Sequence, residues 1–465
     1  MMGNPANHRQ ESRAMHSIWA VAINTIRQAL RMKVALVFII LLVVLIPVLG
    51  YTTTGDETLK GRLQTFVSYS LSLTSFSLCL LTIIISIYSV TSDIDQRQIY
   101  TVITKPIHRY QLLLGKFLGV LLLDMVLLVL FSVMIYTITI YTPVFLKASG
   151  EELLQTKNEF LTARAALTIP KIDVSEQVMQ RYEMLEKRGE LPEGMTRKEI
   201  IDELTRQSQI AMHSADVGKI LTWDFENVRP LDPNMFIRFK YDVSVTPPDE
   251  QVYGRWFAGD YNFIKTGEKP QTPIYDQLHK NAVRTFHEIV FPSDVVPPDG
   301  HLAVAFYNVP LNNTVVIFPP DGFEVLYKAD SFANNYVRAV LLLFFRLIFL
   351  ASLGILASSF LSFPVAILLS FVLFFTASFS GFVIESFDYL SANMGLFYTY
   401  TLKWMIRLLP QFDRFNPAQY IVPAKLLGWS VLVNCIVVMI CIKAFLLFVA
   451  AMIIFSFREI AKIVV

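Results

Sequence analysis

Charge is scarce in this chain. Only 17% of its 465 residues are Asp, Glu, Lys or Arg, against 54% hydrophobic, and the mean hydropathy is +0.48. That balance excludes an ordinary soluble enzyme and points to a membrane protein. Cysteine is scarcer still. Cys79, Cys435 and Cys441 all sit inside apolar runs, so a polar domain must fold without a disulfide, and their spacing resembles no metal site. The seven histidines include no His-x-x-x-His pair, and neither a metal nor another cofactor is expected. A Gly-x-x-x-x-Gly-Lys-Ser/Thr phosphate loop is also missing, because Leu114, Gly115 and Lys116 lack the upstream glycine and the following hydroxyl. ATP hydrolysis by that route is excluded, and the chain is not expected to be an enzyme. Residues 1–15 hold no short apolar core before a small-residue cleavage site, so no cleaved signal peptide is expected.

What is there divides by charge. Residues 148–335 carry 19 Lys and Arg against 28 Asp and Glu, whereas the remainder carries 21 against 10. The basic remainder holds the long apolar runs, with its cations concentrated in short connectors of the kind retained in the cytosol. Six spans are expected, at 34–50, 66–90, 112–141, 336–360, 365–384 and 427–455, with both termini cytosolic. Before them, 1–33 reads as a tail and an interfacial helix, since Ile18, Val21, Ala22, Ile26 and Leu30 share a face. The second span is rich in Ser and Thr (Ser68, Ser70, Ser72, Thr74, Ser75, Ser77) and is expected to pack against other helices. Residues 385–426 form an amphipathic segment, placed outside by parity.

Residues 148–335 read as an extracytoplasmic α+β domain. The stretch 151–214 is expected to be helical, starting a helix at Asp173 or Ser175 and carrying a Thr196 to Glu199 capping box. From 219 to 330 the period shifts to two, in runs such as MFIRFKYDVSV and HLAVAFYNV separated by Pro-Pro-Asp and Asp-Gly turns. Those runs predict a β-sandwich of jelly-roll type.

Between the second and third spans lies a connector, 91–111, within the run DIDQRQIYTVITKPIHRYQLLLGK. Ile99, Val102 and Ile103 keep helical spacing, Pro106 breaks the helix after Lys105, and Arg109 begins another. Such an element lies along a membrane surface and offers an apolar face to a partner. Asp93, Ile94, Asp95, Lys105, Pro106, Ile107, Arg109, Gly115 and Lys116 together resemble the cytosolic connector of type-2 ABC export permeases. That resemblance implies the membrane-spanning subunit of an ABC-type complex in a bacterial inner membrane. It further implies an interfacial elbow helix, a homo- or heterodimer of permeases, and a separate ATPase held through Asp93, Asp95, Arg97, Ile99, Lys105, Pro106, Arg109 and Lys116. Reversing the charge of Arg109 is then expected to uncouple ATP hydrolysis. Membrane lipid and an envelope protein or ligand of the outer domain complete the expected partners; nucleic acid does not. The alternative class is a membrane-anchored binding or force-transmitting protein that moves no solute.

Three ionisable residues, Asp124, Arg346 and Lys443, lie deep in apolar runs, where charges are costly unless paired. Asp124 is about 18 Å along its helix from Leu112, and Lys443 about 21 Å from Trp429. Similar depths predict that Asp124 pairs with Lys443 or Arg346. In the polar domain, Asn312 with Thr314 fits a glycosylation acceptor. His279, His287 and His301 make a weak metal pattern. Trp223, Tyr253, Trp256 and Phe257 suit either a core or a ligand groove, and the core is the commoner use.

Overall fold

The computed structural model of the protein describes residues 5–56, 58–95, 108–168, 174–191, 197–266, 269–319, 322–384 and 409–457. It divides into two compact units, Met1–Thr162 with Phe332–Val465, and Ala163–Ser331.

The first unit opens with α1 (Pro5–Arg31), which ends where Met32 takes an extended conformation, φ −71° and ψ 123°, before α2 (Lys33–Thr52). The break separates α1 from the apolar α2. Helix α2 has no charge after Lys33, so its whole length suits hydrocarbon. Helices α3 (Leu59–Asp95) and α4 (Arg109–Phe145) each run 37 residues. At 1.5 Å per residue that is about 55 Å, well beyond the hydrocarbon thickness, so both continue into the aqueous layers past the expected spans. A short helix, α5 (Gly150–Glu159), starts on a reciprocal Ser149 and Glu152 cap and is tied to α3 by the Lys60–Glu159 ion pair.

The second unit contains eleven described strands. One sheet has the order β1 (Thr162–Thr168), β11 (Phe323–Ser331), β4 (Asn234–Phe239), β8 (His287–Pro292). The other runs β3 (Ile220–Phe225), β9 (Leu302–Asn308), β6 (Gln251–Asp260), β7 (Tyr275–Ala282). A three-stranded ribbon joins β2 (Ser214–Ala215), β10 (Val316–Ile317) and β5 (Asp242–Val243). The pairings among β2 to β11 are antiparallel. Period-two alternation sends Met235, Ile237 and Phe239 of β4 and Trp256 of β6 into one core with Phe306 and Phe323. Helices α6 (Ser175–Arg188) and α7 (Arg197–Met212) form a hairpin with a small core of its own, built on Val178, Tyr182, Ile200 and Leu204. A short helix, α8 (Tyr261–Thr266), follows β6.

Two differences from expectation have physical causes. Within 151–214, residues 162–168 form β1 and not helix, because pairing beside β11 overrides the helix propensity of the alanines. Strands β6 and β7 are not among the period-two runs expected from the sequence, and in β6 glycines interrupt the alternation. Gly254 is needed where a Cβ would collide with the Phe306 ring.

The chain returns to the first unit in α9 (Phe332–Phe360) and turns at Leu361 and Ser362 into α10 (Phe363–Ser378), whose Pro364 sits in the first turn. After the small helix α11 (Ala418–Ile421), the last helix is α12 (Trp429–Phe457), π-helical over Ile436–Ala444. Five described helices, α2, α3, α4, α9 and α12, are long and apolar enough to cross a membrane. The fifth expected span is represented by α10, which is apolar but 16 residues long. Ser70, Thr74, Ser75 and Ser77 are buried, as helix packing of the second span requires.

Candidate functional site

Of the connector residues, Arg97, Ile99, Lys105 and Pro106 lie outside the described residues, and Asp95 is described only as the last position of α3. The flanks are described. Lys116, 3% exposed, makes a 2.6 Å ion pair with Asp93 and also donates to the Ser89 carbonyl. Both charges therefore join the end of α3 to the start of α4. Arg109 donates to the carbonyls of Ser456 at 2.7 Å and Phe455 at 3.3 Å, at the C-terminal end of α12. A cation there offsets the unpaired carbonyls and the negative end of the helix dipole. Reversing Arg109 would thus disturb α12 as well as any partner surface. That makes it a poor probe of coupling alone.

Helix α1 docks on α4 through a seam of small residues. A Cβ on Gly115 would lie 2.7 Å from Val21 Cβ and 2.8 Å from the Ile18 carbonyl, and one on Gly119 would lie 2.7 Å from the Ala22 carbonyl. Ala22, Thr25 and Ala29 are buried, while Leu30, expected on the same face, is exposed. The readable signal was Gly115-x-x-x-Gly119, a spacing that lets two backbones approach.

The intramembrane charges do not pair as expected. Among the described residues no ion pair joins Asp124 to Arg346 or Lys443; the contact shown for Asp124 is 2.9 Å from its Oδ2 to Thr82 Oγ1. Both cations go to backbone. Arg346 donates to the Phe412 carbonyl at 2.8 Å and to Ser75 Oγ at 3.1 Å, and Lys443 donates to the Leu409 carbonyl at 2.6 Å. The segment between these acceptors is not helical, and irregular backbone at membrane depth is tolerated only where its polar groups are satisfied. Asn335 adds bonds to the Lys425 carbonyl and the Leu427 N–H, and Gln64 one to the Val422 carbonyl. Beside this clamp a polar cleft of about 240 Å³ opens, lined by Ser72, Ser75, Arg346, Asp413, Asn416 and Gln419 among others.

In the strand-rich unit, Asn312 is buried. Its amide donates to the Asn308 side chain and the Tyr253 carbonyl, and its oxygen accepts from the Tyr253 N–H. That engagement removes it as a glycan acceptor in the folded protein. Trp223 and Trp256 are core residues with ring centroids 6.2 Å apart. Tyr253 and Phe257 lie on the opposite face of β6, near Lys280 and Arg255 respectively. His279 contacts Tyr275, and burial lowers its pKa; His287 contacts Thr285, and His301 stacks on Tyr261. No cluster of three metal-ligating side chains occurs among the described residues.

Residues 19–169 match the family described as ABC-2 family transporter protein. Over this stretch the chain is similar to ABC-2 permeases. The stretch contains the docking face of α1, the spans α2 to α4 and the connector between the last two. Nothing matches among curated proteins or among solved structures. An ABC-2 permease is a multi-pass membrane component of an ABC transporter, not itself catalytic, and normally works with an ABC ATPase.

Proposed function

We propose that the chain is the permease subunit of an ABC-type complex in a bacterial inner membrane, in which a separate ATPase docks on 91–111 and drives export or envelope-directed movement of a substrate. The observation that carries this reading is that the permease match runs through the connector. Asp93–Lys116 and Arg109 brace its two flanks, so a push on the connector is passed to α3, α4 and α12 together. In this reading α10, with the helical residues 380–384 that follow it, counts as the fifth of six spans, and both ends are cytosolic. An odd number of crossings then precedes the 148–335 domain, which puts that domain on the face opposite the connector. Its eight longer strands, taken in chain order as one to eight, run 1-8-3-6 in one sheet and 2-7-4-5 in the other. That interleaving supports a jelly-roll sandwich.

The test is affinity isolation of the full-length chain from its native membranes with ATP hydrolysis assayed on the isolate. Hydrolysis is expected to accompany the wild-type chain and to fall about tenfold with Lys105→Glu, the loss of one charge-assisted contact. An isolate without ATPase activity would contradict the reading.

A further inference from the structure

Asp124 is fully buried at the α3–α4 seam, 0% exposed. Among the described residues its one hydrogen-bond partner is Thr82, and the hydrogen bonds of that hydroxyl are over-committed unless the acid holds a proton. Thr82 Oγ1 lies 2.8 Å from the Leu78 carbonyl, the ordinary back-bond of a helical threonine, and 2.9 Å from Asp124 Oδ2. A hydroxyl has one proton and two lone pairs. With that proton on Leu78, the second oxygen–oxygen contact needs a proton of its own, which only the carboxyl can supply. The other oxygen, Oδ1, is buried with no hydrogen-bond partner, tolerable for the carbonyl of a neutral acid and costly for a carboxylate.

Among the described residues, the surrounding helices supply no countercharge. From α3 the titratable group near Asp124 is the Cys79 thiol, which also senses Arg346. From α9, Arg346 is turned to Ser75 and Phe412; from α12, Lys443 is turned to Leu409. His16, Arg27 and Arg31 of α1 and Lys33 of α2 lie towards the surface, and on α4 itself Lys116 is paired with Asp93.

We propose that Asp124 is a proton latch: a neutral carboxylic acid that donates to Thr82 while α3 and α4 are packed, and that gives its proton to water when the two helices separate. The O–H bond breaks, the proton passes to entering water, and the carboxylate formed resists re-burial. The packed bundle then binds one more proton than the opened one, so opening is favoured as pH rises, by up to about tenfold per pH unit. The latch is independent of which partner drives the bundle.

Two readouts test it on the full-length chain in lipid nanodiscs. Infrared difference spectra of wild type against Asp124→Asn at neutral pH should show one carboxylic-acid C=O band, shifted on deuteration. Thr82→Val, which keeps the acid, should move that band to higher frequency. In a Cys435→Ala, Cys441→Ser background, Cys79 is the remaining thiol and reports opening through labelling by a water-soluble maleimide. The labelling rate with Asp124 present, divided by the rate of the Asp124→Asn variant in the same background, should climb with pH by at least about threefold per unit over part of the range. A spectrum with only carboxylate bands at neutral pH, or a rate ratio flat with pH, would overturn the proposal.

Discussion

Lys116→Met is expected to destabilise the protein by about 3–5 kcal/mol, the usual cost of stripping one partner from a buried ion pair. Lys116 is 3% exposed, and its ammonium satisfies both the Asp93 carboxylate at 2.6 Å and the Ser89 carbonyl. Methionine fills most of the volume but leaves a largely buried carboxylate with no counterion. The Asp93→Leu, Lys116→Met double variant removes both charges and should recover most of the loss, since an apolar pair of similar volume is often as stable as the ions. Thermal unfolding midpoints in detergent, wild type against single and double variants, measure both effects. If the single variant melted with the wild type, the two charges would be solvated and the bracing of the connector by its flanks would be wrong.

Gly119→Leu is expected to lift α1 off α4. A single Cβ at this position would already stand 2.7 Å from the Ala22 carbonyl and 2.8 Å from Thr25 Cβ, and neither is the free end of a flexible chain. Overpacking at a well-fitted site costs about 1–3 kcal/mol, and displacement of the helix is the cheaper relaxation. Limited proteolysis should therefore cut within 5–31 at least severalfold faster in the variant, whereas the rest of the digestion pattern is kept. Gly150→Ala is the control: nothing lies within 4 Å of the added methyl, and cleavage should be unchanged. Equal cleavage of the Gly119 variant and wild type would show that α1 does not rest on the glycine seam.

The spans and strands were largely legible in the sequence, because hydropathy and side-chain period are local properties. The runs at 34–50 and 336–360 fall inside α2 and α9, and MFIRFKYDVSV contains most of β4 and all of β5. The partners of the buried charges were not legible. Arg346 and Lys443 bond to main-chain carbonyls of Phe412 and Leu409, and a carbonyl exists at every position, so no residue type marks the acceptor. Asp124 misled for the same reason: similar depth predicted an ion pair, while its contact is a threonine one helix away. Gly115-x-x-x-Gly119 was visible in the sequence, but the seam needs Ala22 and Thr25 on a second helix to give it meaning. The Asn312-x-Thr314 triplet satisfied a pattern that says nothing of burial. Asn308 and Tyr253, distant in sequence or on another strand, are what engage it.

The connector and the strand-rich domain are expected to lie on opposite faces of the membrane. In a background without the three native cysteines, Lys105→Cys in the connector and Leu278→Cys on the exposed surface of β7 can each be probed in intact cells with a membrane-impermeant maleimide. The β7 thiol is expected to be labelled in intact cells, and the connector thiol only after the membrane is opened. Labelling of both thiols in intact cells, or protection of both, would contradict that placement.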